Sequence, residues 1–142
     1  MGVVTIDELR AAIVADPENA AFTARGWTPV FAASPRSRLL VVGQAPGARA
    51  QESGMPFTDA SGVALIEWVG LDEATFRDPE RVAILPMDFY FPGRGASGDV
   101  PPRRGFAARW HPPLRALMPE VRLTLLVGAA AQSFWVRAAS RP

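Results

Sequence analysis

Cysteine and lysine are both missing from the 142 residues, and histidine occurs once, at His111. Without a thiol there are no disulfides, no thiolate zinc site, no cysteine nucleophile and no cysteine-held iron–sulfur cluster. Without a lysine amine there is no Schiff-base chemistry. A single histidine excludes a His-rich metal site or a two-histidine mechanism, so a metal would need carboxylates alone, and no cofactor is expected. No window approaches eighteen uninterrupted apolar residues, and no basic flank precedes an apolar run at the N-terminus; the expectation is a cytoplasmic protein. What is present is ordinary for one soluble α/β-sized domain: 49% apolar and 20% charged residues. The formal charge of +1 does not advertise nucleic-acid binding. Yet all fifteen basic residues are arginine, whose planar five-donor fork suits phosphates and bases.

Along the chain, Thr5-Ile6-Asp7-Glu8 has capping-box spacing, and Ile6, Leu9 and Ile13 follow at helical intervals until Pro17. Residues 17–37 are weakly periodic, with Phe22, Trp27, Val30 and Phe31 among prolines and a glycine, which predicts a segment wrapped over the core. Leu39-Leu40-Val41-Val42 reads as a strand buried on both faces. Ser61 as N-cap and Gly70 as C′ residue bracket a helix of about two turns. A short helical turn over 72–77 and a strand over 81–85 follow. Residues 87–105 form a long loop rich in proline and glycine, the kind that is usually functional or disordered. In 106–118 Pro112-Pro113 interrupt a helical pattern and are placed in the first turn of a new helix. A third strand over 121–127, then Gly128 and a helix over 129–139, complete a three-layer α/β/α fold with a small parallel sheet. The third strand would leave an uncovered edge, a place for a partner or for self-association.

The strand over 39–42 stops at Gly43-Gln44-Ala45-Pro46-Gly47. A proline without a backbone donor and two glycines make a rigid turn at the sheet's carboxyl end, where open α/β sheets bind ligands. Seven residues on comes Gly54-Met55-Pro56-Phe57-Thr58-Asp59-Ala60-Ser61-Gly62. These two stretches together resemble the uracil-DNA glycosylase superfamily, most closely the branches whose first motif is Gly-polar-Ala-Pro-Gly. The likeness covers about residues 38 to 128.

The resemblance implies a base-flipping enzyme of DNA base-excision repair acting on uracil or another deaminated base. Phe57 matches the family's stacking phenylalanine. Gly43, Ala45, Pro46 and Gly47 would form the base corner, with the Gln44 amide facing sugar, base edge or attacking water. Asp59 occupies the position of the family loop's aspartate; a carboxylate there would oppose the positive charge of an oxocarbenium-like state. Asp88 and Glu52 are weaker candidates. Where relatives carry a base-reading asparagine, Pro86 stands. The family's His-Pro-Ser motif and fourth strand have no counterpart before Pro142, so one domain over 1–142, incomplete at its C-terminal side, is expected; His111 in Trp-His-Pro-Pro is not that motif. Arg49, Arg94, Arg103 and Arg104 are candidates for the DNA backbone.

On residue type alone, Phe57 reads equally as a core aromatic, and Asp59 as an acid at the positive end of a helix. Two other readings stay open: a catalytically silent nucleic-acid binder, and a nucleotide binder using the Gly43 turn as an anion cradle.

Overall fold

Residues 4–58, 60–96 and 98–140 are described by a computed structural model, 60, 61 and 138–140 through their backbone alone. Helix α1 (Ile6–Ala15) starts where the sequence predicts, with the Thr5 hydroxyl accepting from the Glu8 N–H at 3.1 Å. A short turn at Pro17–Asn19 leads into α2 (Ala20–Ala24). Strand β1 (Leu39–Gly43) is followed by α3 (Ala48–Ser53), α4 (Ala60–Val69), α5 (Glu73–Phe76) and strand β2 (Val82–Pro86). A two-residue hairpin, β3 (Arg94–Gly95) and β4 (Gly98–Asp99), marks the long loop, and α6 (Phe106–Ala116), β5 (Leu123–Leu126) and α7 (Ala129–Ser140) close the described chain.

The sheet is parallel in the order β2-β1-β5, with Val41 opposite Ile84 on one side and Leu125 on the other. Period-two alternation sends the strands' side chains to two separate cores. Leu40, Val42, Ala83 and Leu85 join Ile13, Phe89, Leu114 and Met118 under α1, α2, α6 and α7. Val41, Val82 and Ile84 join Ile66 and Phe76 under α4 and α5. Both faces of β1 are therefore sealed, which is why four consecutive apolar residues are tolerated there.

The segment over 17–37 does wrap the core. Ala32 pairs with Ile84, and Val30 N–H reaches the Phe89 carbonyl at 2.8 Å, so the free edge of β2 is covered. Among the described residues nothing pairs with the outer edge of β5, where Leu123 is 57% exposed.

Two local expectations give way. Ser61 is not an N-cap, because α4 already begins at Ala60. Pro112 and Pro113 do not open a new helix: they sit inside α6, past its first turn. Interior prolines remove two helix hydrogen bonds and cost about 3 kcal/mol or more. The helix persists because Phe106, Ala107, Trp110, His111 and Leu114 form one continuous buried face, and packing outweighs propensity. Among the described residues no helix is long and apolar enough to cross a membrane.

Candidate functional site

The corner after β1 is tied to the chain leaving β2. Met87 N–H donates to the Gly43 carbonyl at 2.8 Å, and Asp88 N–H to the Gln44 carbonyl at 3.1 Å. Beyond β5, Gly128 adopts φ 93°, and a Cβ there would lie 2.6 Å from Cδ of Gln44. The Gln44 side chain thus rests directly on the third strand's exit, where the positive φ itself calls for glycine. Between these strand ends lies a cavity of about 240 Å³ lined by residues 43–47, Ala50, Pro56, Phe57, Pro86 and Val127. Gly43, Gln44, Ala45, Pro46, Gly47, Phe57 and Pro86 are all brought together here. Gln44 supplies the one side chain with a polar group among these lining residues.

Phe57 is held in an unusual backbone state, φ 58°, rare for a bulky residue and costing about 1–3 kcal/mol. Three contacts enforce it. Arg77 donates to the carbonyls of both Pro56 and Phe57, the latter at 2.6 Å. Gly62 lets α4 approach so closely that a Cβ would fall 2.1 Å from the Phe57 carbonyl oxygen. Phe76 meets the ring edge-on at 6.2 Å. The outcome is a half-buried ring pressed on the corner: a Cβ on Gly43 would stand 2.9 Å from Phe57 Cζ.

Under the cavity's Pro86 wall, the sequence had pointed to nothing. His111 is 1% exposed, and its Nε2 lies 2.7 Å from the Pro86 carbonyl. Trp135 Nε1–H donates to His111 Nδ1 at 3.1 Å. An accepting Nδ1 fixes the tautomer, so Nε2–H donates to Pro86. Burial pushes the imidazole pKa down to about 4, against the raising effect of the Pro86 hydrogen bond. The neutral ring is a brace for the end of β2.

The remaining candidates lie elsewhere. Asp88 is fully buried outside the cavity lining, where its carboxylate accepts from Tyr90 N–H, Arg103 N–H and the Arg103 guanidinium at 2.8–3.1 Å. These bonds occupy its oxygens, so the structure gives Asp88 a structural position and not a substrate-binding one. Arg103 is committed to the same network, reaching Asn19 Oδ1 at 2.9 Å and stacking over Phe22 and Phe106; it is not a free cation for a DNA backbone. Arg49, Arg94 and Arg104 are exposed. Glu52 borders a different hollow, beside Trp27 and Phe91. Asp59 lies outside the described residues.

Four supporting residues escaped the sequence reading. Gln51, buried, bridges the Thr28 carbonyl at 2.9 Å and the Phe91 N–H at 2.8 Å, anchoring α3 behind the corner. Arg77, His111 and Gly128 act through atoms far away in sequence. Of these Gly128 alone carried a local signal, a glycine at a strand-to-helix junction.

Residues 30–141 match the Uracil DNA glycosylase superfamily, a span that contains all three parallel strands and every wall of the cavity. The chain belongs to the uracil-DNA glycosylase superfamily.

Proposed function

We propose that this chain is a DNA base-excision repair protein of the cytoplasm that hydrolyses the N-glycosidic bond of a deaminated base everted from DNA. The observation that supports it most is the meeting of the Gly43–Gly47 corner and the Phe57 ring across one small cavity. At about 240 Å³ it falls below the roughly 300–1,000 Å³ of pockets for drug-sized ligands and suits a single planar base. Eversion costs a few kcal/mol, and stacking on one ring returns about 1–3 kcal/mol. Strain at Phe57 is spent in advance, so the ring need not reorganise when a base arrives. Gln44 offers an amide to the base edge or to water. Asp59 is the proposed carboxylate, stabilising positive charge on the sugar and orienting the attacking water. Lacking lysine, the protein would leave an abasic site.

Incubation with a uracil-containing oligonucleotide followed by alkali tests this. Strand scission at the uracil supports it; no scission and no binding above an undamaged control counts against it. Because Pro86 has no side-chain donor or acceptor, selection among uracil, hypoxanthine and xanthine should be broad, and strict uracil preference would contradict that.

The same Pro86, with Gln44 as the cavity's one polar side chain among the lining residues, favours a second reading, a catalytically silent nucleic-acid binder. DNA binding that weakens steeply with salt and releases no base would support it. Stabilisation by mononucleotides with no response to DNA would instead support a nucleotide binder.

A further inference from the structure

We propose that a second cleft, between the start of α6 and the length of α7, seats successive phosphodiesters of the DNA strand that carries the everted nucleotide, with Arg104 and Arg137 as its cationic partners. This rests on the function proposed above. The cleft is about 530 Å³, floored by Met87, Ala107, Ala130 and Phe134.

Its position follows from chain continuity. Pro86 walls the base cavity and Met87 floors the cleft; Val127 borders the first and Ala130 the second. Both hollows therefore open at the carboxyl ends of β2 and β5, on opposite faces of the sheet: Pro86 adjoins Met87 directly, and Val127 precedes Ala130 by three residues. A polynucleotide laid across these strand ends while one base enters the first hollow would bring neighbouring linkages to the second.

Its charge is the second observation. At the opposite, amino end of the sheet, a further arginine-lined hollow is neutralised: Arg36 and Arg81 lie 3.7 Å from Glu80 and Asp78, and Glu120 lines the same wall. The α6–α7 cleft has no carboxylate in its lining. Arg103, at its edge, already has its charge met by Asp88. Among the described residues, the side chain of neither Arg104 nor Arg137 forms an ion pair or hydrogen bond. Two exposed, unneutralised guanidinium groups, one from the turn before α6 and one from the last turn of α7, thus face a concave wall.

The α6 N-terminus adds to the same field. Its N-cap is Gly105, φ 81°, which provides no side-chain acceptor for the first-turn N–H groups and lines the cleft. The acceptor that satisfies planar guanidinium forks and free backbone donors together is a phosphate. Two such cations on separate segments fit successive linkages of a polynucleotide better than one small anion.

The test is the salt dependence of binding to an undamaged DNA duplex, followed by fluorescence anisotropy, for the full chain and for Arg104→Gln/Arg137→Gln. Loss of two phosphate contacts should reduce the slope of log affinity against log salt by about 1.8. Between 50 and 200 mM salt the native chain should then lose about tenfold more affinity than the double variant. Arg36→Gln/Arg38→Gln, at the far end of the sheet, should keep the native slope. An unchanged slope in the Arg104/Arg137 variant overturns the cleft assignment and leaves the excision reading standing. No DNA binding by the native chain overturns the excision reading as well. In a parallel thermal-shift arm, stabilisation by inorganic phosphate that the double variant loses, with no change in DNA slope, would assign the cleft to a free anion and overturn the polynucleotide proposal.

Discussion

Acidification should destabilise the fold through His111, and the size of the effect follows from its surroundings. Nε2–H donates to Pro86 and Nδ1 accepts from Trp135, so an added proton would sit on Nδ1 facing another N–H. Burial is the main cause of the depression, from 6.5 to about 4. A depressed folded-state pKa means the contribution to stability is fully present above the unfolded value and is lost as pH falls through the folded one. Relative to neutral pH, the loss should reach about 2 kcal/mol at pH 5 and about 3 kcal/mol at pH 4, from the linkage of the two values. Urea unfolding at pH 7, 5 and 4, for the native chain and His111→Gln, isolates this term, because the variant lacks the titrating ring. The native curve should fall more steeply by those amounts. Parallel pH profiles would refute the buried neutral histidine and with it the brace beneath Pro86.

Other outcomes follow from single contacts. Phe57→Ala should weaken binding of the everted base by about 1–3 kcal/mol, about fivefold to 150-fold in kcat/KM on uracil-containing DNA, with undamaged DNA bound as before. Gly62→Ala drives a Cβ into the Phe57 carbonyl, with backbone on both sides; calorimetry should show a loss of about 1–3 kcal/mol or more. Asp88→Ala leaves Arg103 without its buried partner and should cost about 3–5 kcal/mol by urea denaturation. Asp59→Asn should lower the single-turnover rate of base release about a hundredfold or more while leaving DNA affinity nearly unchanged.

What was legible in the sequence was local. Strands β1 and β2 announce themselves by unbroken β-branched and apolar runs, because both faces are buried. Thr5, Pro17 and Gly70 punctuate helices through their own backbone chemistry. The first glycine motif was readable as a corner because it follows a buried strand at once and Pro46 removes a donor; Gly47 keeps an ordinary φ of −76°, and Gly43 serves by making room for the distant Phe57 ring. What stayed hidden depends on partners distant in the chain. The strained backbone of Phe57 needs Arg77 and Gly62, neither of which marks its purpose by type. Asp88 reads as an available acid until the fold delivers Arg103 to it, 15 residues on. Pro112 and Pro113 break helices in isolation, and only the continuous apolar face against the core, with His111 fastened to Pro86, carries α6 through them.

The central claim is that a nucleobase enters between the Gly43–Gly47 corner and the Phe57 ring. Backbone amide chemical-shift mapping with short uracil-containing and thymine-containing strands tests it at the residues themselves. The account predicts uracil-dependent shifts gathered at Gly43, Gln44, Ala45, Gly47 and Phe57. Shifts confined to other surfaces, or identical for the two strands at these positions, would contradict it.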